Sequence, residues 1–216
     1  MHLGIEGSTF EDCDFSRVRI RSGSFDASRT SSFVRYSFDG LRPGATSWGV
    51  SRFVDCSFRD MDVKDWFLPA AEFISCRFSG RFDGIVLFGT PQAPYDKPDR
   101  LSPWRTSNEF RGNDFSGADL RFPDLRFGVD VGANTWPSGP GYLLLDRWPE
   151  RLLRALAEVG RWENEAARTL GLWWLRKEGE AGRDRQVETL IRTTDWDAEP
   201  RAAWPKLWES LAASLD

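Results

Sequence analysis

Residues 53–78 have the sequence FVDCSFRDMDVKDWFLPAAEFISCRF, which places an apolar side chain at every fifth position. In order, these side chains are Phe53, Phe58, Val63, Leu68, Phe73 and Phe78. A period of five matches neither the helical turn of about 3.6 residues nor the two-residue alternation of a flat strand. The stretch therefore predicts an architecture whose unit is a five-residue segment.

Pairs of phenylalanines five residues apart recur on both sides of this stretch. They are Phe10/Phe15, Phe33/Phe38, Phe53/Phe58, Phe73/Phe78 and Phe110/Phe115. The second, third and fourth pairs start 20 residues apart, which is four five-residue segments. A fixed repeat of this length predicts stacked structural units, with these phenylalanines as the structural core.

The three cysteines share one place in the repeat, two residues before the second phenylalanine of a pair. A narrow tube needs a small side chain at one inward position to make room for rings at the other. We therefore expect Cys13, Cys56 and Cys76 to be core residues. They lack the C-x2-C spacing of zinc sites, and the only histidine is His2, so the sequence predicts neither a metal nor a cofactor.

These repeats resemble the pentapeptide-repeat family, whose loose motif is a small residue, a polar residue and a central Phe or Leu. The matching segments are CDFSR at 13–17, CSFRD at 56–60, CRFSG at 76–80, NDFSG at 113–117 and ADLRF at 118–122. The resemblance covers about residues 8–130. It implies a mainly β fold, a right-handed quadrilateral β-helix of about five coils. Tyr36 and Trp66 depart from the motif, because both are too large for its small inward position.

The chain changes character near residue 141. Residues 135–141, TWPSGPG, are typical of a linker. Beyond them, helical spacing of apolar residues predicts helices over about 148–160, 162–178, 184–192 and 204–215. We therefore predict two domains: a β-helix over 1–135, and a Trp-rich α-helical capping or interaction segment over 141–216.

A longer interval interrupts the repeat after Phe73. The next pair starts 37 residues later instead of 20, which predicts a loop inserted at about 89–107. This loop holds four of the twelve prolines, together with Tyr95 and Trp104. Long loops on rigid scaffolds often carry function, and proline limits the entropy lost on binding. The loop is either an element that contacts a partner or a bulge that packs on its own repeats.

Outward positions on the fourth side of the predicted coil are apolar. A contiguous apolar face must be covered, either by other parts of the chain or by a partner. We predict that the C-terminal helices pack on this face; the inserted loop and a partner protein are the alternatives. The candidate partner contacts are Phe67, Leu87, Tyr95, Trp104, Phe127, Trp204 and Trp208.

Charge and hydropathy exclude several classes of protein. The formal charge is −4, with 29 basic and 33 acidic residues interspersed, so we expect no direct nucleic-acid binding. No apolar run is long enough to span a membrane, and no signal peptide is recognisable. We expect a cytoplasmic protein, and the preference for arginine over lysine suggests a bacterial one.

The sequence favours a non-catalytic scaffold for protein–protein interaction, not an enzyme, because no catalytic constellation is present. We expect its partner to be another protein; a second copy of this chain, forming a homodimer, is the alternative. The resemblance implies an alternative function. Some pentapeptide-repeat proteins resemble duplex DNA in shape and charge, and they protect or inhibit type II topoisomerases such as DNA gyrase. Their rods are generally longer and strongly acidic, whereas the predicted walls here are nearly neutral.

Overall fold

The computed structural model describes residues 2–25, 29–101, 104–179 and 185–215. The chain divides into two compact units, Met1–Pro137 and Ser138–Asp216. We call the first the strand unit, because its described residues form parallel strands. We call the second the helical unit; its described residues form three α-helices and a two-stranded ribbon. Over the described ranges the fold is therefore mainly β, and the α-helices lie in the second unit.

The strands of the strand unit are short. Their bounds are β1 His2–Ile5, β2 Thr9–Glu11, β3 Arg19–Phe25, β4 Ser31–Val34, β5 Arg42–Ser47, β6 Ser51–Val54, β7 Ser57–Lys64, β8 Phe67–Leu68, β9 Glu72–Ile74, β10 Arg77–Asp83, β11 Val86–Phe88, β12 Phe110–Arg111, β13 Asp114–Arg121 and β14 Asp124–Arg126. They form parallel sheets in the orders β1-β3-β5, β13-β10-β7, β14-β11-β8 and β12-β9-β6-β4-β2.

The pairing register follows the intervals of the sequence repeat. In the five-stranded sheet, Phe33 is level with Phe53 and Phe53 is level with Phe73, each 20 residues on. Phe10 is level with Phe33, and Phe73 with Phe110, so the irregular intervals also preserve the register. Equivalent side chains of successive repeats therefore lie one strand apart.

Two columns of aromatic rings fill the interior. In the first, ring centroids are 5.3 Å apart for Phe10–Phe33, 5.1 Å for Phe33–Phe53 and 4.9 Å for Phe53–Phe73. The second column, formed by Phe38, Phe58, Phe78 and Phe115, has spacings of 4.8, 5.1 and 4.1 Å. These distances are close to the spacing of about 4.8 Å between neighbouring strands, so stacked backbones and stacked rings reinforce each other.

The predicted core is buried except at its first repeat. Phe10 and Phe15 are half-buried, whereas the other eight phenylalanines of the pairs are buried. Cys56 and Cys76 are buried as predicted, but Cys13 is exposed, so its assignment to the core is wrong. The reason is its place in the sheet order: β2 is an edge strand, and no described strand stacks on its outer side.

The second aromatic column extends further than the sequence predicts. Trp136 stacks on Phe115 with centroids 4.7 Å apart and an angle of 2° between the ring planes. Its Nε1 donates to the carbonyl oxygen of Val131 at 2.8 Å. The second residue of the segment predicted to be a linker therefore extends the stack.

The position predicted for Leu87 is wrong. Its side chain is 1% exposed, and the residue is level with Leu68 and Leu125. Strict five-residue counting turns Leu87 outward, but the register between β7 and β10 shifts between Phe78 and Gly80. The interval between paired residues falls there from 20 to 19, so β10 is one residue shorter than β7 at this point. Leu87 consequently points inward.

The helical unit comprises β15 Tyr142–Leu145, α1 Trp148–Val159, α2 Glu165–Gly179, β16 Thr189–Arg192, a 3-10 turn Thr193–Asp195 and α3 Ala203–Ala212. The helix predicted over 184–192 is wrong, although residue 184 itself lies outside the described residues. Thr189 and Ile191 are β-branched and suit a strand, and β16 pairs antiparallel with β15.

The tryptophans predicted as partner contacts on α3 lie in the core of the helical unit. Trp204 and Trp208 are buried, and Trp208 contacts Trp174 edge to face with centroids 5.1 Å apart. Arg151 and Arg154 of α1 donate to backbone carbonyls at the C-terminal end of α3, which caps that helix. Neither ring is available to a partner in this arrangement.

Replacing a ring in the middle of a column tests whether stacking stabilises the strand unit. We expect Phe53→Ala to lower the free energy of unfolding by about 3–5 kcal/mol, because the ring is fully buried between Phe33 and Phe73. Urea denaturation measures the loss. Phe122→Ala is the matched control, since Phe122 is 45% exposed, and we expect a change within about 0.5 kcal/mol. Equal losses for the two variants would contradict the assigned core.

Candidate functional site

The inserted loop covers part of the apolar face on the strand unit. Leu101 of the loop is buried against Val50 and Ala70, and Tyr95 packs on the same cluster. The Tyr95 hydroxyl lies 3.5 Å from the Ser47 Oγ. The inserted loop, one of the alternatives considered for covering this face, therefore does cover part of it. Packing of the C-terminal helices on it stays a prediction.

A cluster of ion pairs fastens the end of the loop, and we call it the Glu72 cluster. The Glu72 side chain is 3% exposed, and its Oε2 lies 2.6 Å from Arg52 Nη1 and 3.2 Å from Arg105 Nη1. Its Oε1 accepts a hydrogen bond from the Glu109 backbone N–H at 3.0 Å. Arg105 also donates through Nη2 to the Ala70 carbonyl oxygen at 2.5 Å. A loop residue is thus tied to two neighbouring positions of the wall.

The carboxylates and guanidinium groups of this cluster compensate one another. A hydrogen bond from Arg111 lowers the pKa of Glu109; partial burial opposes this, and a hydrogen bond from Arg52 adds to it. Burial lowers the pKa of Arg105, although the Glu72 carboxylate opposes that effect. An arginine remains protonated near neutral pH in either case. Arg52 and Arg105 therefore both carry a positive charge, and each lies within 4.0 Å of a carboxylate oxygen.

A groove of about 770 Å³ runs beside the cluster. The residues Thr9, Thr30, Ser32 and Ser107 line it together with the cluster. The guanidinium groups of Arg52 and Arg105 already bond to Glu72, Glu109 and backbone oxygen atoms. We conclude that the cluster serves mainly to hold the loop in place.

Trp104 is presented next to this anchor. It directly precedes Arg105 in the chain, and its side chain is 49% exposed. The following turn is fixed as well, because Asn108 Nδ2 donates to the Phe88 carbonyl oxygen at 2.7 Å. An exposed tryptophan thus stands on a backbone whose next residues are bound to the strand unit.

A row of three aromatic rings lies along the same side of the repeats. Phe67 is 55% exposed and contacts Phe88 edge to face, with centroids 5.0 Å apart. Phe88 in turn stacks on Phe127 at 5.8 Å, and the Arg126 guanidinium lies 5.8 Å from the Phe88 centroid. Phe67 is three residues from Ala70, to which Arg105 is hydrogen bonded. The exposed Phe67 and the loop anchor therefore belong to one stretch of wall.

The structure thus separates the predicted contact residues into two groups. Phe67 and Trp104 are exposed, and Tyr95 and Phe127 are half-buried. The remaining predicted contacts, Leu87, Trp204 and Trp208, are buried.

Sequence reasoning missed the Glu72 cluster. The 20-residue register already places Glu72 next to Arg52, and that signal could have revealed their pairing. Nothing in the sequence pattern predicts the approach of Arg105.

Two further observations concern only the described part of the chain. No group of three or more His, Cys, Asp or Glu side chains lies close enough to hold a metal ion. No helix there is long and apolar enough to cross a membrane.

Comparison with known proteins gives no assignment: no family model matches the chain, and no curated protein matches it. The exposed aromatic residues and the anchored loop are accordingly the basis for a proposal about function.

Removing the charge of Glu72 tests the anchor of the loop. We expect Glu72→Gln to lower the free energy of unfolding by about 3–5 kcal/mol, because it leaves the largely buried Arg105 without a carboxylate and removes one of the two carboxylates that Arg52 contacts. Urea denaturation gives the loss, and hydrogen exchange should show faster exchange in residues 104–109.

Asp62→Asn is the matched control. Asp62 pairs with Arg81 on an exposed wall, and we expect a loss below about 1 kcal/mol. If both substitutions cost the same, the Glu72 cluster does not anchor the loop.

Proposed function

We propose that this chain is a non-catalytic scaffold that binds a partner protein through the anchored loop and the neighbouring aromatic row. In this proposal the strand unit is a right-handed quadrilateral β-helix of the pentapeptide-repeat type. Trp104 and Phe67 are the principal contacts. Phe127 and Tyr95 border them.

The path of the chain supports the β-helical part of the proposal. From β6 the chain passes through β7 and β8, which belong to two other sheets, before β9 returns beside β6. The return takes 20 residues, which is four five-residue sides. Parallel pairing with every equivalent residue one strand apart is what a quadrilateral coil requires.

The half-exposed Trp104 beside the buried Glu72 cluster is the observation that carries the binding proposal. Tryptophan is enriched among the residues that contribute most to protein–protein affinity. A side chain held on a pre-ordered backbone loses less conformational entropy on binding than one on a flexible loop. Phe67 extends the apolar contact along the wall, which suits an apolar surface on the partner.

The alternative, a DNA-mimicking regulator of type II topoisomerases, gains little support from the walls. A mimic of duplex DNA needs regularly spaced carboxylates that remain available to a basic partner. Here Asp12 pairs with Arg35, Asp62 with Arg81, and Glu72 with Arg52. These pairs neutralise three carboxylates on different strands of the walls, so we favour the scaffold.

Affinity capture with quantitative mass spectrometry tests the proposal. The tagged chain, the variants Trp104→Ala and Phe67→Ser and the control Leu153→Ser are exposed to the same cell lysate. We expect a partner retained by the wild type to be lost from both aromatic variants. Truncating a central aromatic contact costs about 2 kcal/mol or more, which is about thirtyfold in affinity.

Leu153 is the control because it is 70% exposed on α1 of the helical unit. The control variant should retain the partner as the wild type does. Capture of the same proteins by the wild type and both aromatic variants would contradict the proposed site.

A further inference from the structure

Charged residues on the walls of the strand unit follow a rule of sign. Among the described strands, two charged residues are level at seven positions, and their charges are opposite at six of them. These are Arg52 with Glu72, Arg81 with Asp62, Lys64 with Asp83, Arg77 with Asp114, Arg81 with Asp119, and Asp83 with Arg121. Opposite charges one strand apart stabilise a sheet, and like charges destabilise it.

Arg19 on β3 and Arg42 on β5 are the exception. They are level with each other on parallel strands, and both are exposed. Their backbones are therefore about 4.8 Å apart. Within the described residues, neither guanidinium group forms an ion pair with a carboxylate within 4.0 Å. Arg42 instead donates through Nη1 to the Asp60 carbonyl oxygen at 3.1 Å.

Arg19 and Arg42 both line a groove of about 720 Å³ on the strand unit. Arg17 and Ser16 line it as well. Gly40, which also lines the groove, has a φ of +64°, a conformation that favours glycine.

Three carboxylates share this groove, and two of them already accept hydrogen bonds from the backbone. Asp39 Oδ1 accepts from Ser57 Oγ at 2.5 Å and from the Arg59 N–H at 2.7 Å. Asp14 Oδ1 accepts from the Ser16 N–H at 2.8 Å. Asp60 is the third. These contacts hold Asp14 and Asp39 to their own wall, and none of the three carboxylates lies within ion-pair distance of Arg19 or Arg42 in the described residues.

We propose that the groove binds a phosphate group between Arg19 and Arg42. Guanidinium groups bind phosphate oxygens through two parallel N–H···O bonds, and two guanidinium groups one strand apart can share one tetrahedral anion. The bound anion supplies the negative charge that a carboxylate supplies at the other registers. The phosphate is either free or carried as a monoester by a small molecule.

Isothermal titration calorimetry at constant ionic strength tests the site, with orthophosphate and O-phospho-L-serine as probes against chloride. We expect the wild type to bind phosphate. Arg19→Asp and Arg42→Gln should each weaken binding about tenfold or more, since each removes a charge-assisted contact. Tighter binding of O-phospho-L-serine than of orthophosphate assigns the site to phosphate monoesters, and the reverse order assigns it to free phosphate.

Stability without phosphate gives a second readout that a merely structural arginine would not produce. Arg19→Asp should raise the urea midpoint above that of the wild type, because it places a carboxylate level with Arg42. The control Arg81→Gln should lower the midpoint and leave phosphate binding unchanged. The proposal is overturned if the wild type binds neither probe, if Arg19→Asp binds phosphate as the wild type does, or if Arg19→Asp lowers the midpoint.

Discussion

The spacing of parallel strands, about 4.8 Å, is the constraint on which the strand unit depends. Flat rings stack at nearly this distance, so a phenylalanine at the same position of every repeat can contact its equivalents above and below. The centroid distance of 4.9 Å between Phe53 and Phe73 shows the match. Backbone hydrogen bonds and ring contacts therefore require the same register, and a change in one disturbs the other.

The same spacing governs the outside of the walls. Side chains that are level on neighbouring strands are close enough to pair, which explains why Arg81 faces both Asp62 and Asp119. Where the inserted loop covers the wall, one such pair becomes part of a buried cluster around Glu72. The loop is thus anchored, through Arg105, to the Arg52–Glu72 pair of the regular wall. This anchor fixes the backbone next to Trp104.

The regular part of the fold could be predicted from the sequence because one physical period controls it. The intervals between phenylalanine pairs are the pairing registers, and the helix predicted over about 148–160 corresponds to α1. Prediction failed where a local event breaks the period. The residue lost near Gly80 turned Leu87 inward, and the edge position of β2 exposed Cys13.

The candidate site was only partly predictable for a related reason. Exposed aromatic residues on an insertion could be recognised, and Trp104 and Phe67 are indeed exposed. The anchor that fixes them joins Arg105 to Glu72 across the fold, and no periodic pattern encodes where a loop returns. Residues 189–192 illustrate the same limit, because a short apolar segment becomes a strand only when a partner such as β15 is present.

Nuclear Overhauser effects between selectively labelled phenylalanine rings test the 20-residue stack most directly. The account predicts ring-to-ring contacts from Phe33 to Phe53 and from Phe53 to Phe73, with none between Phe33 and Phe73. Contacts that skip a repeat, or rings of Phe53 and Phe73 without any mutual contact, would contradict it.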